Sequence, residues 1–287
     1  PIEDPTPSRR MQPMATTGQA LNDPVRSETN LSMSDYEKFL FDLKGFLVIP
    51  GVLEEDEIRS VRAHVETYIK NPESLPEHYR APIAGPAEFL IDHPRVMGIL
   101  QSVIDPKPER IRMESVFVSS RAIETEQEQW RPHVGGANLD PSLSYRYHNG
   151  RIYSGMTRIV WELNEVVKGK GGTCLVPGSH KANMASAQEK NWPEEADNPN
   201  SGVWETYGCP PGSLVVFSEG VRHTGSQWTH PGNPRCAILM AYNHVTVRFH
   251  EPKPCMNAAV MGGLSRSRQS FFQDVWSLPN KRSPAGS

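Results

Sequence analysis

At 287 residues, with 37% hydrophobic and 22% charged residues, the chain has the size and make-up of one ordinary globular domain able to bury a core. A formal charge of -3 and a pI near 6.4 exclude bulk attraction to a nucleic acid polymer or an anionic membrane, so any phosphate recognition must come from a local pocket. Twenty-six prolines and a mean hydropathy of -0.53 favour a loop-rich, β-rich chain, and Cys174, Cys209, Cys236 and Cys255 show none of the spacings of a zinc site or a small disulfide scaffold. No apolar stretch approaches a membrane span, and the expected setting is the cytoplasm with reduced thiols.

Residues 1–30 are rich in Pro, Ser, Thr and Asn without a hydrophobic period, and read as a disordered or loosely docked arm. A single domain is expected over 31–278, followed by a flexible tail over 279–287. Ser34 with Glu37 makes a capping box for a helix over Asp35–Lys44, and Gly45 suits its end. Phe46–Ile49 reads as a strand, Pro50-Gly51 as a turn, and Glu54–Lys70 as a second helix with Ile58, Val61, Val65 and Tyr68 on one face. From Ile111 the pattern changes to short β-type runs at Met113–Ser119, Thr157–Leu163, Thr173–Val176, Leu214–Phe217 and Cys236–Phe249. Such strands between Gly/Pro turns predict a mainly β fold with flanking helices, built on a barrel or double-sheet jelly roll. The long polar stretch 183–202 exceeds a usual connection and is expected to be an active-site lid.

Two histidines in turn-rich segments carry the chemistry: His133 in Arg131-Pro-His-Val-Gly135, and His223 in Glu219-Gly-Val-Arg-His223. Iron(II) in oxygenases takes two imidazoles and one carboxylate on one face, leaving the other for co-substrate and dioxygen. The turn at Pro210-Pro-Gly212 leads into a strand with His223 at its end, and Arg235 follows twelve residues later, before the next apolar strand. A hairpin of this kind would aim His223 and Arg235 into one cavity. A guanidinium there suits the distal carboxylate of 2-oxoglutarate, which it can bind with both arms of its fork.

These motifs resemble the phytanoyl-CoA dioxygenase-like branch of the iron and 2-oxoglutarate oxygenases, over roughly residues 34–250. The likeness rests on Gly45-Phe-Leu-Val-Ile-Pro-Gly51, Val160-Trp-Glu-Leu163, Gly171-Gly-Thr-Cys-Leu-Val-Pro-Gly-Ser-His-Lys181 and Pro211-Gly-Ser-Leu-Val-Val-Phe217, together with His223 and Arg235. It implies a double-stranded β-helix (cupin-like) core, iron(II) held by His133 and His223, and 2-oxoglutarate held by Arg235 with Thr224 or Trp228 in support. The residue matching His180 is usually structural in that family. Where the family has His-x-Asp or His-x-Glu, this chain has His133-Val134-Gly135, so the carboxylate ligand is missing.

That departure is similar to iron and 2-oxoglutarate halogenases, in which Ala or Gly replaces the acid and chloride takes the vacant position. The resemblance then implies a chain that consumes 2-oxoglutarate, dioxygen and chloride to chlorinate an aliphatic carbon, with Gly135 as the determinant. The whole-chain likeness is to adenine nucleotide halogenases, which would make the small-molecule substrate a deoxyadenosine phosphate. Arg112, Arg121, Arg131, Arg151, Arg158 and Lys181 offer cations for its phosphate, and Trp130, Tyr145, Tyr147 and Trp161 offer faces for its base. Two other readings stand beside this one. One is a hydroxylase in which water, or an acid such as Asp140, Glu162 or Glu219, fills the third position. The other is a silent binding protein, against which the intact His133, His223 and Arg235 argue.

Overall fold

The computed structural model describes residues 31–124, 130–135, 144–182, 193–249 and 256–275, so the expected N-terminal arm, the tail and Asp140 lie outside the described residues. Helix α1 (Asp35–Lys44) starts on the capping box that its sequence encodes: Glu37 N donates to Ser34 Oγ at 3.2 Å, and Ser34 N to Glu37 Oε2 at 2.8 Å. It stops at Gly45, whose φ is +81° and whose absent side chain leaves room for Val221 and His180. A Cβ there would fall 2.4 Å from Val221 Cγ2 and 2.5 Å from His180 Nδ1. The chain turns directly into β1 (Phe46–Ile49), and helix α2 (Glu55–Lys70) buries Val61 and Val65 as its periodicity demands.

A five-stranded antiparallel sheet orders β1, β7 (Ser213–Ser218), β5 (Met156–Glu162), β9 (Arg235–His244) and β2 (Ile111–Arg121). Strands β3 (Arg146–His148) and β4 (Arg151–Tyr153) form a separate hairpin. A smaller sheet pairs β6 (Gly172–Leu175) with β8 (His223–Ser226), and single bridges extend it from His223 to His133 and from Leu175 to Glu205. Every residue of β5 and β7 is buried, because the large sheet is covered on both faces. On one face Ile159, Trp161, Val216, Ile238 and Met240 pack with the helical layer of α2 and α3 (Pro94–Val103). On the other, Val160, Val215, Phe217 and Leu239 pack with Leu175, Val221 and Trp228 of the smaller sheet and its flanks. This is the double-sheet jelly roll with flanking helices that the sequence predicts.

Three details differ from the sequence reading. Helix α3 is additional; it starts with Pro94 at its first position, and Gly98 lets the chain at Leu31 come close, since a Cβ there would lie 2.0 Å from Leu31 O. The strands bearing His223 and Arg235 are not partners in a hairpin: β8 belongs to the small sheet and β9 to the large one. In the expected lid, 183–192 lie outside the described residues, whereas 193–202 contain a tied-down 3-10 turn, Glu194–Asp197. Arg222 Nε donates to Asp197 Oδ1 at 2.7 Å, and Trp130 Nε1 to Asp197 O at 2.6 Å. No described helix is long and apolar enough to cross a membrane.

Candidate active site

His133 and His223 face each other across two reciprocal backbone hydrogen bonds, of 3.0 Å and 2.9 Å, which place both side chains on one face of the ladder. Their ring centroids are 4.3 Å apart. Each ring is fixed in the same way: Nδ1 meets the carbonyl two residues earlier, His133 on Arg131 O at 2.8 Å and His223 on Val221 O at 2.7 Å. A ring that donates through Nδ1 presents the Nε2 lone pair, which is the arrangement a metal-binding imidazole needs. Burial pushes His223 down to about 4, with the Glu219 carboxylate opposing, so the ring is neutral at ordinary pH. The donor set fits iron(II) with two protein ligands; among the described residues no group of three His, Cys, Asp or Glu is arranged to hold a metal ion.

Gly135 lies beside this pair, and its missing side chain is not open space. A Cβ there would sit 2.2 Å from Glu219 Oε2 and 2.9 Å from both Glu219 Cβ and Met156 Cε. The turn that carries Glu219 is clamped by its backbone: Glu219 N donates to Met156 O at 2.9 Å, and Gly135 N to Glu219 O at 2.8 Å. Its carboxylate is 2% exposed, ion-paired through Oε1 with Arg158 Nε, and has Oε2 3.5 Å from His223 Nε2. Burial alone would raise the Glu219 carboxyl, but the charge of Arg158 and its hydrogen bond to the carboxylate outweigh it and hold the group ionised, below its ordinary value. Arg158 is itself held by Ser115 Oγ at 3.1 Å and lies over the Phe117 ring.

At the other end of β5, on the same face, Arg235 meets Glu162 in a fork: Nη2 to Oε1 at 2.5 Å and Nε to Oε2 at 3.3 Å. Tyr207 O–H donates to the same carboxylate at 2.6 Å. Burial would lower the Arg235 guanidinium, yet Glu162 raises it above its usual range, so the cation is permanent. The Nη1 edge makes a long contact, 3.4 Å to Ser119 Oγ. Thr224 and Trp228, expected to support 2-oxoglutarate, have other partners here. Thr224 Oγ1 accepts from Arg131 N at 3.2 Å, and Trp228 Nε1 donates to Asn233 O at 2.8 Å within the apolar layer between the sheets.

Several residues proposed from sequence to bind a nucleotide are committed elsewhere. Arg112 pairs with buried Glu114, Lys181 with Asp42 at 2.9 Å, and Tyr145 O–H donates to Asp42 at 2.6 Å. Trp161 is fully buried in the helix-side core. Trp130 packs edge-on against Trp204 at 4.9 Å, and the two help line a cavity of about 420 Å³ with Cys174, Thr206 and Gln227. His180 is buried under α1, with Nε2 on Asp42 O at 3.1 Å, a structural position. Sequence reasoning did not anticipate Tyr207, or that Glu162 and Glu219 would each take an arginine; only the β5 alternation, which places 156, 158, 160 and 162 on one face, pointed that way.

The sequence matches the family model of phytanoyl-CoA dioxygenase (PhyH) over residues 41–235. No curated protein sequence is a significant match. Among solved structures, HygX from Streptomyces hygroscopicus, with nickel, 2-oxoglutarate and hygromycin B bound, superposes with a TM-score of 0.60 at 20% identity, covering 76% of this chain and 90% of that one. EctD from S. alaskensis, with 2-oxoglutarate and 5-hydroxyectoine, gives 0.54 at 14% identity over 77% and 79%. The nickel complex of the non-heme monooxygenase ThoJ gives 0.51 at 15% over 72% and 76%. These likenesses are of fold.

Proposed function

We propose that this chain, which belongs to the phytanoyl-CoA dioxygenase (PhyH) family of iron and 2-oxoglutarate oxygenases, is a halogenase acting on an unactivated aliphatic carbon of a small molecule. The observation that carries this reading is position 135: the residue two after the first histidine is glycine, and Glu219 leaves no room there for a carboxylate side chain. The overall reaction balances as R–H, 2-oxoglutarate, dioxygen, chloride and a proton giving R–Cl, succinate, carbon dioxide and water. Iron, when bound, supplies the oxygen activation and the coordination position for the halide. His133 and His223 hold it through Nε2, their tautomers set by the carbonyls of Arg131 and Val221. Arg235 takes the distal carboxylate of 2-oxoglutarate on its Nη1 edge while Glu162 and Tyr207 keep the guanidinium plane fixed. Thr224 and Trp228 act behind these contacts, through the backbone of Arg131 and the packing between the sheets.

The substrate proposed is a deoxyadenosine phosphate. The aromatic cavity at Trp130 and Trp204 offers a face for the base, and Arg131, two residues before His133, a cation beside the site. That HygX and EctD are solved with hygromycin B and 5-hydroxyectoine supports a small-molecule substrate in general. Assaying deoxyadenosine and its mono-, di- and triphosphates by mass spectrometry, with and without chloride, tests the proposal. The expected result is a chlorinated product from a phosphorylated form only, and only with halide present. The hydroxylase reading is favoured by one observation, the 3.5 Å approach of Glu219 Oε2 to His223 Nε2, which would let that carboxylate stand in for the missing one. A halogen-free hydroxylated product, formed equally fast without chloride, decides for it.

A further inference from the structure

Glu219 is where an acid is least expected if the third position is reserved for a halide. Its Oε2 lies 2.2 Å from where a side chain at Gly135 would begin, and 3.5 Å from His223 Nε2. In this geometry Glu219 is not arranged with the two histidines to hold an ion, but two donors about 2.1 Å from one ion and at right angles stand roughly 3 Å apart, so Oε2 has only to close part of its 3.5 Å separation from His223 Nε2 to share an ion with that ring. It is not free to leave unassisted, because Oε1 is tied to Arg158 and the group is 2% exposed. Glu219 sits in the turn between β7 and β8, with its backbone clamped by bonds to Met156 and Gly135, so that a change of its side-chain torsion alone breaks no strand pairing.

We infer that Glu219 and the halide are alternative occupants of one position beside His133 and His223, with Arg158 as the cation that retains the carboxylate when the halide displaces it. The inference rests on the halogenase reading and deepens it: the glycine at 135 makes the position available, and Glu219 fills it until halide arrives. Volume and charge both make the occupancies exclusive. The space left by the missing side chain is already taken by a carboxylate oxygen, and a second anion against the same buried arginine would be uncompensated. The consequence is that metal retention does not depend on halide in the resting protein, since Glu219 serves as a provisional ligand.

The test is the metal affinity of the full chain, measured by equilibrium titration with Co(II) in acetate buffer and in the same buffer with saturating chloride. Glu219→Gln keeps the shape and a hydrogen bond to Arg158 while removing the charge. The pair Arg158→Met with Glu219→Met replaces both charges together, so that a folding defect in one variant is not shared by the other. In acetate, both variants should bind Co(II) at least tenfold more weakly than wild type. Chloride should restore Glu219→Gln to within about threefold of wild type, and the halide concentration that half-saturates the Co(II) absorption change should fall about tenfold in that variant. Equal metal affinity of wild type and both variants in acetate would overturn the inference while leaving a halogenated product, and hence the proposed function, intact. A loss that chloride does not recover would also overturn it by making Glu219 a permanent ligand, and a halogen-free product in the separate turnover assay would show that the halogenase reading had failed with it.

Discussion

Two buried arginine–glutamate pairs lie on the same face of β5, four residues apart, which is about 13 Å along a strand. They are built differently. Arg235 and Glu162 stand on neighbouring strands of the large sheet, with Tyr207 closing the fork, so neither carries a backbone free to shift. Arg158 also stands on β5, but its partner Glu219 is in a turn whose position depends on the His133 segment. The strand-to-strand pair fixes a permanent cation at the inner end of the space between the sheets. The strand-to-turn pair places an anion beside the two histidines. In the proposed function the same two residue types serve as an anchor in one place and as an exchangeable ligand in the other, and what differs is the backbone beneath them and the tyrosine that closes the first fork.

The largest expected effect breaks the rim. His133→Ala or His223→Ala removes half of the imidazole donors and should weaken Co(II) or Fe(II) binding by more than about a hundredfold, read by equilibrium dialysis. Unchanged metal content in both would remove the rim from the chemistry altogether. Next comes the anchor. Arg235→Ala leaves Glu162 buried without its cation and should cost about 3–5 kcal/mol in urea unfolding, besides abolishing 2-oxoglutarate binding. Glu162→Gln, which keeps the arginine and its hydrogen-bonding neighbours, should cost less and retain co-substrate binding. If the two variants bound 2-oxoglutarate equally, Arg235 would not be its anchor.

The third prediction concerns the contact between Gly135 and Glu219. Gly135→Ala places a methyl 2.2 Å from Glu219 Oε2 and should destabilise the fold by about 1–3 kcal/mol unless the carboxylate swings away. In a double-mutant cycle with Glu219→Ala, most of the clash should disappear, giving a favourable coupling of about 1 kcal/mol or more. Additive effects would mean that the turn, not the side chain, absorbs the methyl.

Much of this was legible before the structure. The capping box at Ser34, Gly45 as the helix end, and β1 at Phe46–Ile49 follow from local rules that depend on a few adjacent residues. His133 and His223 could be singled out by their turn-rich settings, and Gly135 by its place after the first of them. Helix α3 is absent from the sequence reading although its signal is local: His93 caps it, Pro94 stands at its first position, and Val96, Ile99, Leu100 and Val103 fall at helical spacing; only the close approach of Leu31 to Gly98 is a tertiary feature that the pattern does not carry. The assignment of β8 to the small sheet was hidden for a tertiary reason: a short turn after β7 reads as a hairpin, and the partner His133 lies ninety residues earlier. Likewise, Glu162 and Glu219 read as possible spare acids for the iron, since sequence gives the alternation along β5 but not which carboxylate each arginine meets.

The smallest expected effect distinguishes the two regions by pH. The Arg235–Glu162–Tyr207 group has its arginine raised and its tyrosine raised well above ordinary values, so neither of these changes charge under mild acid. The rim differs because a neutral imidazole supports it from behind: His180 lies against Gly45 and Tyr145, and Ser179 Oγ accepts from Arg222 N, next to His223. Burial pushes His180 down to about 4, against the opposing pull of the Asp42 carbonyl. Its folded value is therefore below the roughly 6.5 of an unfolded chain. Between those two values the unfolded state binds more protons, so the stability contributed by His180 is complete above pH 6.5 and is lost as pH falls toward 4. At pH 5.5 the loss is about 1.4 kcal/mol. His180→Phe cannot take up that proton, and its urea unfolding free energy should fall by about 1.4 kcal/mol less than that of wild type between pH 7.5 and 5.5. His64, His223 and His244, also lowered, contribute equally to both proteins and cancel in the difference. Amide exchange in the wild type should quicken at 176–181 and 41–45 before it does along β5 and β9. An equal pH dependence in the two proteins would mean that the His180 imidazole is reached by water as readily as in the unfolded chain, and that the rim is no softer in acid than the anchor.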